Sequence, residues 1–235
     1  MMYHTSQGVK RLIAVDCVIF GYEKNQLKLL LFKRHLEPAK GEWSLIGGWV
    51  HEDESVEGAA RRVLRALTGL ENIFLDQVGV FSEPDRDPGG NVLSVAFNAL
   101  IKIEKHSNEM GQNLGAKWFP IEEVPPLIFD HDDMFKIAFD KLRLKATYEL
   151  VGRQLLPEKF TILQMRDLYN QIFQKEFDPS NFRKKILSLK ILKRLDEKKR
   201  TGSKRGAYYY QFKEEENQED QERQSEPIFS LAIQF

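Results

Sequence analysis

The sequence has one cysteine, Cys17, among its 235 residues. A single thiol excludes an internal disulfide and any multi-cysteine metal site, and its place in the apolar run LIAVDCVIF reads as a buried strand position. Also missing is an uninterrupted apolar run near the roughly 20 residues that span a bilayer. The first twenty residues, MMYHTSQGVKRLIAVDCVIF, show no small-residue cleavage site after their apolar part. The expectation is a cytoplasmic protein without membrane contact. Net charge is absent too, since 35 basic and 35 acidic residues cancel. They are unevenly spread: residues 1–152 hold 18 basic and 22 acidic, 153–213 hold 16 and 6, and 214–235 hold 1 and 7. A positive segment between two acidic ones is the charge pattern of a nucleic-acid contact surface, although a solvated basic face gives the same balance.

What is present suffices for one large or two small cores: 42% of residues are hydrophobic and 11% aromatic. RLIAVDCVIFGY, QLKLLLFKR, ENIFLDQVGVF, NVLSVAFNALIKIE and AKWFPI read as strands, and SVEGAARRVLRAL and HDDMFKIAFDKLRLKATYEL as helices. This is an α/β or α+β domain, expected over 1–152. From Leu156-Pro157 the pattern turns to helices followed by a hairpin, a second small domain over 153–213. EEENQEDQERQSE within 214–235 is too polar to bury a core and is expected to be a flexible tail. PIFSLAIQF at the end is apolar again, without an assigned role.

The stretch GGWVHEDESVEGAARRVLRALTGL carries the functional question. Ser55 fits a helix N-cap and Gly69 the residue past the C-cap, which predicts a helix over 56–68. Positions 63, 66 and 67 are spaced i, i+3, i+4 and share a face. Glutamates there would gather carboxylates around a magnesium ion; this chain has Val63, Ala66 and Leu67, which offer no metal-binding oxygen. Gly48, Glu54, Arg62, Leu64 and Gly69-Leu70 reproduce the skeleton of the Nudix box, and GEWSLIGGWV resembles the run leading into it in ADP-ribose-type Nudix proteins. DRDPGGNVLSVAF and LIFDHDDM are similar to segments of ADP-ribose pyrophosphatases and of the Nudix-related transcriptional regulators, the NrtR group. HLEPAKGEW and GSKRGAYYY are similar to segments of its arabinose-responsive, AraR-like branch.

That resemblance implies a Nudix-like sandwich domain followed by a winged helix-turn-helix, with a degenerate sensor in place of an enzyme and no cofactor or metal. It puts Arg34, Trp43, Glu54, Arg62, Asp85, Arg86 and Asp87 in the segments facing the ligand cleft. Each has a plainer reading: ion pairs for Arg34, Glu54 and Arg62, core for Trp43, turn residues for Asp85 to Pro88. His131 reads as a helix-start residue.

The C-terminal segment has chemistry of its own. Thr161 and Gln164 form a capping box ahead of the stripe Met165, Leu168, Tyr169, Ile172 and Phe173, a core-facing helix. After Asp178-Pro179 comes a second helix with Phe182, Ile186 and Leu189 inward. Asn181, Lys184, Lys185 and Ser188 then share another face with Arg183 beside it, side chains suited to base edges or phosphates. ILKRLD, a tip EKKRTGSKRG and AYYYQF read as a wing with Lys198, Lys199, Arg200, Lys204 and Arg205 around the turn. Protein or RNA contact are the alternatives to duplex DNA. The expectation is a homodimeric repressor on a palindromic operator, released by a small molecule. A pentose such as L-arabinose comes first and an ADP-ribose-like nucleotide second, because an uncharged sugar needs no metal. The competing class is an active Nudix hydrolase on ADP-ribose.

Overall fold

The computed structural model describes residues 10–69, 73–103, 115–199, 206–213 and 228–229. It has two compact units. The first is formed mainly by 29–99 and 115–138 together with the start of the first strand. The second takes in 20–28 and the chain from Phe139 onward.

A seven-stranded sheet contains β1 (Leu12–Glu23), β2 (Gln26–Lys33), β3 (Trp43–Ser44), β4 (Ile46–Trp49), β5 (Leu75–Phe81), β6 (Val92–Lys102) and β7 (Ala116–Pro120). Its order is β3-β2-β1-β6-β5, with β4 also pairing β1 and β7 pairing β2. β1 and β2 are joined by Lys24-Asn25, both at positive φ (50° and 62°), the backbone of a two-residue hairpin turn whose twist matches the strands. Central strand β1 is buried on successive residues from Val15 to Tyr22, so both its faces are covered. Cys17 is fully buried as expected, and burial pushes its thiol up to about 12.

α1 spans Val56–Thr68, the predicted range, and α2 spans His131–Tyr148. Ala59, Ala60, Val63 and Leu64 turn α1 inward. In the second unit follow α3 (Gly152–Leu155), α4 (Ile162–Phe173), α5 (Pro179–Ser188) and the antiparallel pair β8 (Leu192–Lys199) and β9 (Ala207–Phe212). Phe160 and Tyr210 exchange backbone hydrogen bonds at 3.0 and 2.7 Å, a third, one-residue rung beside the hairpin. Phe160, Met165, Leu168, Tyr169, Ile172 and Ile186 are fully buried between them. No helix among the described residues is long and apolar enough to cross a membrane.

Candidate functional site

The loop and helix of the Nudix-type stretch are tied by local chemistry. The Ser55 side chain accepts the Gly58 N–H at 3.0 Å, and Gly69, at φ 72°, donates its N–H to the Arg65 carbonyl. Glu54 accepts from the Arg62 Nε at 3.0 Å, from Arg62 Nη2, and from the His51 N–H at 2.9 Å. Arg62 Nη2 also donates to the Trp49 carbonyl at 2.8 Å. The guanidinium beside it holds the Glu54 carboxyl down to about 2. Glu54 and Arg62 therefore spend their polar atoms on each other and on the loop backbone, which is the plainer of their two readings.

Val63 is 5% exposed, and a Cβ added at Gly48 would come within 2.8 Å of its Cγ2. Gly48 is thus needed because strand and helix approach closely, and Val63 fills the contact with a methyl. Ala66, however, is exposed, so Val63 and Ala66 do not form one buried face: positions three apart differ by about 60° around the helix, which at the edge of the buried stripe puts one inside and one out. The side chain of Leu67 lies outside the described residues. Among the described residues no group of three or more His, Cys, Asp or Glu is placed to hold a metal ion.

One polar cluster joins His131, read from sequence only as a helix-start residue, to Asp16 and Ser94, which sequence did not single out. Asp16, buried in β1, accepts a hydrogen bond from Ser94 Oγ on β6, and its Oδ1 lies 3.7 Å from His131 Nε2. His131 Nδ1 accepts the Leu45 N–H at 3.1 Å, so the proton of a neutral ring sits on Nε2, facing Asp16. A Cβ at Gly47 would meet Asp16 Oδ1 at 2.2 Å. His131 is the first residue of α2, as expected, and also fastens that helix to β1 and to the Leu45 backbone. The available signal was a charged residue in the middle of an apolar strand.

Asp85 and Arg86 line an open cavity of about 620 Å³ with Phe81, Glu83, Asp130, Asp133 and Lys136. Arg86 is bound by Asp130 through two hydrogen bonds of 2.7 Å, Nε to Oδ2 and Nη2 to Oδ1, and its side chain is only 3% exposed. Lys136 pairs Asp133 at 3.1 Å. Asp87 accepts the Gly89 N–H at 2.7 Å, a turn-forming role. Arg34 and Trp43 do not line this cavity. Arg34 Nε donates to the carbonyls of Leu36 and Pro38, and its guanidinium lies 5.6 Å from the Phe129 ring centre. Half-buried Trp43 meets Phe119 edge to face at 4.8 Å, with Lys33 Nζ 5.8 Å from its ring.

In the second unit the capping box is present: Thr161 Oγ1 accepts the Gln164 N–H and Gln164 Oε1 accepts the Thr161 N–H. Asp178 caps α5 by accepting the Asn181 N–H at 2.8 Å, and Phe182 and Ile186 face inward. Asn181, Arg183, Lys184, Lys185 and Ser188 are exposed. Arg183 Nη2 donates to the Tyr210 hydroxyl at 3.3 Å, fixing α5 to β9, and Ser188 Oγ donates to the Lys185 carbonyl at 2.7 Å. That leaves the side chains of Asn181, Lys184 and Lys185 without a partner among the described residues.

The wing differs from expectation in its bounds. Lys198 and Lys199, expected at the tip, are strand residues opposite Tyr208 and Ala207, past an irregularity after Arg194. Lys198 Nζ and the Arg194 guanidinium lie 4.4 and 4.6 Å from the Tyr208 ring centre. Cation–π contact with one tyrosine makes the longer hairpin favourable. Arg194 was not singled out by sequence, although strand alternation places it one step from Lys193 on a basic strand. Arg200, Lys204 and Arg205 lie outside the described residues.

Family models match both parts: a NUDIX domain over residues 10–138 and an NrtR DNA-binding winged helix domain over residues 152–212. An Acinetobacter baylyi protein named ADPR responsive transcriptional repressor NtrR is 30% identical over 214 residues, 89% of this chain and 85% of that protein. A Methanocaldococcus jannaschii ADP-ribose pyrophosphatase is 38% identical over 134 residues, 57% of this chain and 74% of its own. The structure of Shewanella oneidensis NrtR complexed with a 27mer DNA superposes with a TM-score of 0.76 at 27% identity, covering 92% of this chain and 96% of that one. The NUDIX domain of the same Shewanella protein, complexed with ADP ribose, covers 60% of this chain and 94% of its own at a TM-score of 0.50 and 29% identity. None of these relatives supports the arabinose-responsive branch expected from HLEPAKGEW and GSKRGAYYY. The chain belongs to the NrtR-type family, in which a Nudix domain is followed by a DNA-binding winged helix.

Proposed function

We propose that this chain is a ligand-controlled transcriptional repressor, with residues 1–152 as sensor and 153–213 as DNA reader, acting as a homodimer on a palindromic operator. The observation that carries it is the outer face of α5. Asn181, Lys184 and Lys185 stand exposed, without a partner among the described residues, on a helix whose other face is locked into the core by Phe182 and Ile186. An amide and two ammonium groups on a rigid helix suit base edges and phosphates, and the Acinetobacter relative is named a transcriptional repressor. Fluorescence anisotropy with duplexes from the chain's own upstream region tests it. Sequence-selective binding that weakens steeply with salt is expected; equal, weak binding to every duplex overturns it.

For the effector we infer an ADP-ribose-type nucleotide, bound and not hydrolysed. Support comes from the Acinetobacter relative, which is named ADPR responsive, and from the ADP ribose complexed with the Shewanella Nudix domain. Arg34 is the cation best placed to meet a diphosphate, because among the described residues its guanidinium hydrogen-bonds only through Nε and faces no carboxylate, whereas Arg62 and Arg86 are already matched by carboxylates. Trp43 would offer a ring edge or face to the base. This replaces the pentose expectation as the first reading.

A specific observation keeps an uncharged polyol as the second. Four carboxylates, Glu83, Asp85, Asp130 and Asp133, face the 620 Å³ cavity against Arg86 and Lys136, each paired to one of them. Such a surface repels a diphosphate and accepts hydroxyl donors. Calorimetry with ADP-ribose and with arabinose, each at millimolar concentration, separates the two. Heat from ADP-ribose alone supports the first reading, heat from the sugar alone the second, and in either case operator DNA must weaken the effector by the factor the effector weakens DNA.

A further inference from the structure

Far along the chain from the winged helix, and after an acidic stretch, Phe229 is packed inside it. Only 6% of the residue is exposed. Its ring lies 4.6 Å from Tyr169 and 5.8 Å from Phe173, both on α4, 5.7 Å from Phe177 in the turn, and 5.8 Å from Phe182 on α5, nearly parallel to the last at 12°. The backbone is held as well. The N–H groups of Ile228 and Phe229 both point at the Thr147 carbonyl, at 2.8 and 3.4 Å. That carbonyl belongs to the last turn of α2, where helix carbonyls have no partner within the helix.

We propose that the C-terminal segment around Phe229 is a strap that completes the winged-helix core and holds the recognition helix, and that the aromatic socket of Tyr169, Phe173, Phe177 and Phe182 is its docking site. The physical argument is one of supply. A segment of about sixty residues has only a marginal core of its own, so one more buried aromatic side chain counts, and the socket joins the two helices at their turn. One phenylalanine touching α4, the turn and α5 together removes the space into which α5 would shift. The residues that bring it there, 214–226, carry seven acidic side chains and one basic. By charge alone, losing the tail should strengthen binding to a polyanion. The strap requires the opposite for a change that leaves the charge alone, so the sign separates the two effects.

The test uses the full-length chain with Phe229→Ala, and Phe229→Leu as a partial filler should the alanine variant fail to fold. Hydrogen–deuterium exchange at amides 182–188 should speed up at least about tenfold in Phe229→Ala, with α1 unchanged and the leucine variant between. A synthetic peptide of residues 224–235 added to the alanine variant should restore protection, and the same peptide with alanine at 229 should not. Unchanged exchange at 182–188, or equal rescue by both peptides, overturns the strap. The consequence for DNA rests on the function proposed above: Phe229→Ala should bind a 27-base-pair upstream duplex at least about fivefold more weakly than wild type. A wild-type chain that binds no duplex would end the DNA reading and leave the exchange result to decide the strap.

Discussion

Removing one side of the Arg86–Asp130 pair decides whether the arginine is structural or a ligand hook. The guanidinium is 3% exposed while its carboxylate partner is 20% exposed at the cavity wall, so the two halves differ in how well water can replace the missing partner. Breaking a buried ion pair costs about 3 to 5 kcal/mol because one charge is stranded. Asp130→Asn strands the buried guanidinium, and about 3 kcal/mol is expected. Arg86→Met strands a carboxylate that water can reach, and about 2 kcal/mol is expected. At about 2–4 °C per kcal/mol for a chain of this size, the losses are about 6–12 °C and 4–8 °C. The double variant Arg86→Met with Asp130→Asn should recover much of this, since no charge is left behind. Thermal unfolding of the four proteins closes a double-mutant cycle. A coupling under about 0.5 kcal/mol would place the pair with ordinary surface bridges and refute the reasoning. Lost effector binding at an unchanged Tm in Arg86→Met would show a ligand hook.

Metal-dependent cleavage of ADP-ribose should be absent with magnesium or manganese, and release of ribose phosphate at about 1 per second or more would contradict the reading of Val63 and Glu54. Lys184→Ala with Lys185→Ala should weaken binding to all duplexes and flatten the dependence of log affinity on log salt by about 0.9 per lost phosphate contact, measured by anisotropy between 50 and 200 mM salt, whereas Asn181→Ala should relax sequence preference. Because its pairing with Arg62 lowers the Glu54 carboxyl from 4.5 to about 2, that group favours the folded state above 4.5, and the contribution disappears as pH falls through 2. Glu54→Gln should therefore unfold like wild type below pH 2 and differ from it at neutral pH. The difference should shrink in 1 M salt, since the pair is exposed.

Much of this was readable in the sequence because the signals are local. Ser55, Gly69, Thr161 with Gln164, and Asp178-Pro179 each announce a helix end through a hydrogen bond to a residue within four positions, and all four formed. Pairings between distant residues were not readable. Arg86 meets Asp130 across 44 positions and Asp16 meets Ser94 across 78; nothing in either segment names its partner, so the sequence offered Arg86 as a ligand or turn residue without the ion pair, and Asp16 as an ordinary strand residue. The wing's extent failed for an intermediate reason. A run of lysines reads as a polar tip, yet Tyr208 gives Lys198 and Arg194 an aromatic face, and the strands continue through them.

Phe229 makes the same point with a consequence for how the domain is bounded. Composition divides the chain where polar residues begin, at Glu214, and a winged-helix model matches only to residue 212. Packing does not stop there: the socket is built from Tyr169, Phe173, Phe177 and Phe182, and the residue that fills it comes 17 positions after the last strand, which ends at Phe212. An acidic stretch too polar to bury a core can still deliver one aromatic side chain, because closing a loop of that length costs only slowly growing entropy. On the strap proposal, the stability of α5 is therefore set partly by a residue outside the segment that contains it.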